Sequence, residues 1–157
     1  SDLSVFDNNC LKGVEMLEIG NGCFKNMIQF LIDGLNELKS VKIGDKSFEL
    51  EKNGEEGSKC VIMNCSLLRQ IQIGYNSFCL YESFEVKNLL SLKSIKLDIG
   101  AFVRCHSVVF ESMNDWMNDE WDLIQLQSIC VGILVVIGDC QKGESNELIM
   151  RSGNDRV

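Results

Sequence analysis

The sequence predicts a β-rich solenoid, a single stack of short strands with few or no long helices. Three observations carry that reading. One strand-and-turn phrase recurs along nearly the whole chain, a phenylalanine follows each turn at a constant distance, and the chain contains no proline. Without proline, reversals must be made by Gly, Asn and Asp, which reach positive φ or bond their own backbone. Repeats are sought first because a repeat fold read element by element is misassigned.

The units open as Glu15-Met16-Leu17-Glu18-Ile19-Gly20, Lys39-Ser40-Val41-Lys42-Ile43-Gly44, Arg69-Gln70-Ile71-Gln72-Ile73-Gly74 and Lys93-Ser94-Ile95-Lys96-Leu97-Asp98, and Gln127-Ser128-Ile129-Cys130-Val131-Gly132 starts a fifth. Polar and branched side chains alternate with period two, so on a strand Val41 and Ile43 turn to one face and Ser40 and Lys42 to the other. One face is core and the other solvent. Glycine or Asp98 in sixth place suits a left-handed or tight backbone that ends the strand.

Four residues later come Phe24, Phe48, Phe78 and Phe102, each preceded by a small residue, Cys23, Ser47, Ser77 or Ala101. Stacked units would align these rings into a buried column. A second apolar step follows at Phe30-x-Ile32, Cys60-x-Ile62, Phe84-x-Val86 and Val108-x-Phe110. Each then runs into a join, at Leu35 and Leu38, Cys65 and Leu68, Leu89 and Leu92, or Met113 and, after an insertion, Leu126. Phe6, Leu11 and Val14 fit the closing half of the same template, so the segment begins inside a unit.

The organisation is therefore one domain over 1–157: a partial unit 1–14, units 15–38, 39–68, 69–92 and 93–126, and an irregular terminal unit 127–157. Two units are long because they carry insertions. Glu49 to Lys59 is rich in Glu, Gly and Asn and reads as a solvated loop. Ser112 to Asp122 mixes acids with Trp116 and Trp121, which are either exposed recognition anchors or residues folded back onto the stack. Ile129 to Ile137 is about half the length of a spanning helix and reads as buried strand. A loose tail is expected from Arg151 to Val157. A unit of about 24 residues cannot bury its apolar face alone, so neighbouring units supply the core.

The phrase Ile-x-Ile-Gly-x-x-Ser-Phe, and above all Ala101-Phe102-Val103-Arg104-Cys105, resembles the I-G-x-x-A-F-x-x-C core of BspA-like leucine-rich repeats over about Glu15 to Gln127. This chain departs from that family in lacking a proline before the second strand and using a Leu-x-x-Leu-x-x-Ile join, which marks a divergent subtype. Repeat and resemblance together class the fold as an α/β-type leucine-rich repeat solenoid, β-rich with short strands. The resemblance implies a role in protein recognition or surface adhesion and no shared catalytic residues.

The rest of the sequence narrows the chemistry. An apolar fraction of 45% with 24% charged residues is that of an ordinary globular domain. A formal net charge of −8 disfavours phosphate backbones, so nucleic acid is not an expected partner. The phosphate-cradling, dinucleotide and zinc-protease motifs are missing, and no cofactor or metal is expected. The eight cysteines lack C-x-x-C spacing, and Cys23, Cys60 and Cys65 fill template places held elsewhere by small or apolar residues, so they read as core thiols. Cys130 replaces an outward residue and is the expected exposed thiol. Cys105 beside His106 is a weak nucleophile-and-base candidate, since strand neighbours face opposite ways. No pair of acids in an apolar setting supports glycosidase chemistry.

The expected site is the outward strand face. Stacked in register, it forms two columns, Met16, Ser40, Gln70, Ser94, Ser128 and Glu18, Lys42, Gln72, Lys96, Cys130, of which Ser40, Lys42, Gln70, Gln72, Ser94 and Lys96 are the expected partner-binding residues. The function so predicted is a non-catalytic protein-interaction module with an unidentified protein partner, no spanning segment and possible further repeats at both ends; the alternative is an architectural or adhesive spacer of a larger surface protein. Reduced thiols favour a reducing compartment and the resemblance a cell surface, which leaves localisation open.

Overall fold

The computed structural model describes residues 5–8, 11–51, 56–111, 124–126, 134–138 and 148–151, the last three segments as strand backbone. Among the described residues twelve strands follow one another, with no α-helix: β1 (Val5–Phe6), β2 (Met16–Ile19), β3 (Gln29–Asp33), β4 (Ser40–Ile43), β5 (Lys59–Met63), β6 (Gln70–Ile73), β7 (Ser83–Lys87), β8 (Ser94–Leu97), β9 (Ser107–Glu111), β10 (Ile124–Leu126), β11 (Leu134–Gly138) and β12 (Leu148–Arg151).

From β1 to β11 successive strands alternate between two sheets, and β12 joins the sheet of β11. One has the order β1-β3-β5-β7-β9-β11-β12 and the other β10-β8-β6-β4-β2. Pairing is parallel throughout except for the antiparallel β11–β12 pair. The register repeats the template: Val41 stands between Leu17 and Ile71, and Cys60 between Phe30 and Phe84. Phe6 pairs with Phe30 at the edge of the first sheet.

Burial follows the alternation. Val41, Ile71, Ile95, Phe30, Ile62, Phe84 and Val86 are fully buried, and inward residues of both sheets form one apolar core. At the joins, Leu38, Leu68 and Leu92 each donate an amide bond of 3.3 Å to the residue three before, and Val14 does the same to Leu11 at 3.1 Å. The Leu-x-x-Leu spacing thus encodes one tight turn that drops both side chains into the core.

The phenylalanine column is present. Phe48 and Phe78 stack at 4.5 Å, and Phe78 and Phe102 at 5.0 Å, all three fully buried. Phe24 continues it at 5.3 Å from Phe48 but is 40% exposed, with Phe6 the one ring beyond it among the described residues. Tyr81, also fully buried, meets the Phe78 ring edge-on at 4.9 Å and donates its hydroxyl to the Met27 carbonyl.

The glycine expectation needs correction. Gly20, Gly44 and Gly74 do not have positive φ; the left-handed positions in the turns after β2, β4, β6 and β8 include Gly22, Lys46, Asn76 and Gly100, and the four phenylalanines themselves, at φ of 54° to 55°. Positive φ strains a bulky residue, so burial of the stacked ring has to offset it. The glycines serve close approach between units: a Cβ on Gly44 would lie 2.7 Å from the Gly20 carbonyl carbon, and one on Gly74 would lie 2.6 Å from the Gly44 carbonyl carbon.

The small residue before each phenylalanine also does more than fit. Ser47 and Ser77 are fully buried. The Ser47 hydroxyl donates to the Gly20 carbonyl at 2.6 Å and accepts the Cys23 amide at 3.1 Å. The Ser77 hydroxyl repeats this with the Gly44 carbonyl at 2.5 Å and the Ser47 amide at 3.0 Å. Each hydroxyl satisfies two buried backbone groups of the preceding unit, which would otherwise cost free energy.

Three boundaries also differ from expectation. The stretch from Glu49 to Lys59 is not wholly a solvated loop, since Leu50 and Ser58 are buried and Lys59 already belongs to β5; residues 52–55 lie outside the described residues. The strand beside β8 is β10, with Gln125 opposite Lys96, because Ile124-Gln125-Leu126 satisfies the same alternation earlier in the chain. Ile124–Leu126 therefore takes the place given to the Ser128–Cys130 phrase, and those two residues, Met113, Trp116 and Trp121 lie outside the described residues. Arg151, expected to begin a loose tail, closes β12 opposite Leu134. Of the apolar stretch Ile129 to Ile137, Leu134 onward forms strand β11 (Leu134–Gly138), and residues 129–133 lie outside the described residues.

Candidate partner-binding face

Alternation fixes which side chains leave the core of β2, β4, β6 and β8. With Leu17, Val41, Ile71 and Ile95 turned inward, the intervening residues must point out. Cα register then aligns Met16, Ser40, Gln70 and Ser94 in one row and Glu18, Lys42, Gln72 and Lys96 in the next. The structure brings all six expected residues onto one face. Lys42, Gln70 and Lys96 are exposed, and Ser40, Gln72 and Ser94 are half-buried between their neighbours.

A third row was not among the expected site residues. Lys39, Arg69 and Lys93 stand immediately before β4, β6 and β8, all exposed. Their backbones stack directly: Arg69 donates its amide to the Lys39 carbonyl at 2.8 Å, and Lys93 to the Arg69 carbonyl at 2.7 Å. The sequence signal was a basic residue opening three consecutive units. At the first unit Glu15 takes that place and contacts Lys39 Nζ at 2.5 Å, which holds the Glu15 carboxyl below its ordinary value through the hydrogen bond and the charge of Lys39.

Catalytic alternatives are not assembled by the described residues. Cys105 is 2% exposed and His106 is exposed; both precede β9 rather than sitting on a strand as expected, yet they still diverge. Burial pushes the Cys60 thiol well up, with Cys105 a smaller cause, and raises Cys65 and Cys79 likewise. A thiol so shifted stays protonated and is a poor nucleophile. Cys60 and Cys65 are core residues as expected, whereas Cys23 is only half-buried, because it lies in the same end turn as Phe24; none of the five described cysteines forms a disulfide. A hollow of about 290 Å³ between the joins at Gly13 and Gly34 has Lys12, Asn36 and Glu37 at its margin and no Ser, Cys or His. Among the described residues no three His, Cys, Asp or Glu converge as a metal site, and no helix is long and apolar enough to cross a membrane.

The chain is similar to a Toll-like receptor 4 of Pinctada imbricata. The two are 33% identical over 89 residues, which is 55% of this chain and 10% of that receptor. This chain thus spans about a tenth of the length of the curated relative it matches. No family model matches the chain, and no solved structure matches it.

Proposed function

We propose that the chain is a non-catalytic protein-interaction module of leucine-rich-repeat type, a solenoid segment that engages a protein partner through the outward face of β2, β4, β6 and β8. The observation that carries this reading is the row register itself: Ser40, Gln70 and Ser94, and Lys42, Gln72 and Lys96, are held side by side on consecutive rungs. A rigid parallel ladder preorganises those side chains, and preorganisation lowers the entropic cost of binding. The resemblance to a receptor supports a recognition role, and the Ala101–Cys105 phrase supports a BspA-like, adhesive variant of the same type.

The six partner-binding residues are a proposal to be tested by blocking the face. Binders selected from a random peptide display library should lose affinity for a triple variant Ser40→Tyr, Gln72→Tyr, Ser94→Tyr that keeps its unfolding midpoint. Selected binders that hold both proteins equally well would remove the face from consideration and leave the spacer reading.

A further inference from the structure

The third row turns this face into something more specific than a polar ladder. Lys39, Arg69 and Lys93 follow one another on rungs about 4.8 Å apart, and Lys42 and Lys96 stand on the same rungs as Lys39 and Lys93. Like charges placed opposite one another on neighbouring strands destabilise a sheet. Lys39 has Glu15 as a counterion, but among the described residues no ion pair is formed by Lys42, Arg69, Lys93 or Lys96.

Among the described residues acids are sparse around Arg69 and Lys93, while Glu18 stands opposite Lys42 in register and Asp98 follows Lys96. From Asn64 through Tyr81 and from Asn88 through Leu97 the chain has no Asp or Glu, although it carries 23 acids in all and a net charge of −8. Around Arg69 and Lys93 the strip is therefore locally cationic on an acidic protein, and several cations within one screening length of roughly 8–10 Å act together on an approaching anion.

The same two rungs carry apolar surface at both ends of their strands. Leu67 and Leu90 precede β6 and β8 and are 45% and 42% exposed; Tyr75 and Ile99 follow them and are 42% and 52% exposed. Four of the six large exposed apolar side chains among the described residues thus bracket the cations. A sulfated glycan or a nucleic-acid backbone has anions but no aliphatic groups to use that border, whereas a polypeptide has both.

Resting on the face assignment above, we propose that this strip binds a polypeptide segment in which carboxylate side chains are interspersed with apolar ones. The carboxylates pair with Arg69, Lys93, Lys42 and Lys96, and the apolar side chains settle on Leu67 and Leu90 on one side or Tyr75 and Ile99 on the other. Arg69 is the central residue, able to hold a carboxylate with two parallel N–H donors.

The probe is a fluorescently labelled peptide of alternating Glu and Leu, titrated with the whole chain by anisotropy. Arg69→Glu with Lys93→Glu should weaken it by about tenfold or more, and raising salt from about 50 to about 200 mM should weaken it as well. Lys12→Glu with Lys59→Glu, the same change in net charge away from the strip, should leave it within about twofold. Absence of binding, or equal loss in both double variants, overturns the proposal. Equal binding of an all-Glu peptide, a sulfated polysaccharide or duplex DNA overturns it in favour of a general polyanion site. Display-selected binders that are lost on the tyrosine-blocked face yet show neither carboxylates nor salt sensitivity would leave the module function standing and this inference refuted.

Discussion

The rings of Phe48 and Phe78 lie 4.5 Å apart and 7° from parallel, each carried by a backbone in the left-handed region. Strain and burial are coupled at these positions, since the turn that costs backbone energy is the one that puts the ring in the column. Phe48→Ala removes a fully buried ring while leaving the strained backbone, and should cost about 3–5 kcal/mol. Phe24→Ala, at the exposed end, should cost well under half as much. Urea unfolding of both variants measures the difference, and equal losses would contradict the column.

Gly20 and Gly74 hold the same template place in different company. Nothing lies closer than 3.8 Å to a Cβ on Gly20, whereas one on Gly74 would press on the Gly44 backbone at 2.6 Å. Gly74→Ala should therefore destabilise by about 1–3 kcal/mol. Gly20→Ala should be neutral or stabilise by up to about 1 kcal/mol through the unfolded chain. If both alanines behave alike in thermal unfolding, close approach is not the reason for these glycines.

Ser77 links two units through one hydroxyl, so Ser77→Ala leaves the Gly44 carbonyl and the Ser47 amide short of a partner in a buried setting. The expected loss is about 1–3 kcal/mol. Ser91, whose hydroxyl donates to the Ser66 carbonyl at the surface, is the control, and Ser91→Ala should stay within about 0.5 kcal/mol. A control that loses as much as Ser77 would argue against the buried bridge.

Stability should fall as pH rises above about 9, the ordinary thiol value from which burial raises Cys60, Cys65 and Cys79. The unfolded chain releases these protons while the folded chain retains them, so the unfolded state binds fewer protons and deprotonation favours it. Tyr81, pushed up by burial, adds the same effect above about 10. Denaturant midpoints between about pH 8 and 10.5 should decline, and less steeply in Cys60→Ala. A flat profile across that window would contradict retention of the thiol protons in the core.

Much of this architecture was legible before any coordinates. Alternation at Val41 and Ile43 placed the core face, the recurring phenylalanine placed the column, and Leu35 with Leu38 marked the joins, because side-chain period and turn spacing are local properties of a chain. The row containing Ser40, Gln70 and Ser94 followed from the same alignment. Local pattern could not say which of two similar phrases, Ile124-Gln125-Leu126 or Ile129-Cys130-Val131, would pair with β8.

What the sequence by itself determined is the repeated unit and the two faces of each strand, since both depend on residues near one another in the chain. Only the tertiary structure decided what the units do to each other: that Gly74 is excluded from carrying a Cβ by Gly44, that the Ser77 hydroxyl completes the backbone of the unit before it, and that Lys39, Arg69 and Lys93 gather into one cationic row beside exposed leucines. Those relationships join residues 24 to 33 positions apart, and they arise from the stacking distance between rungs rather than from any property of a single unit.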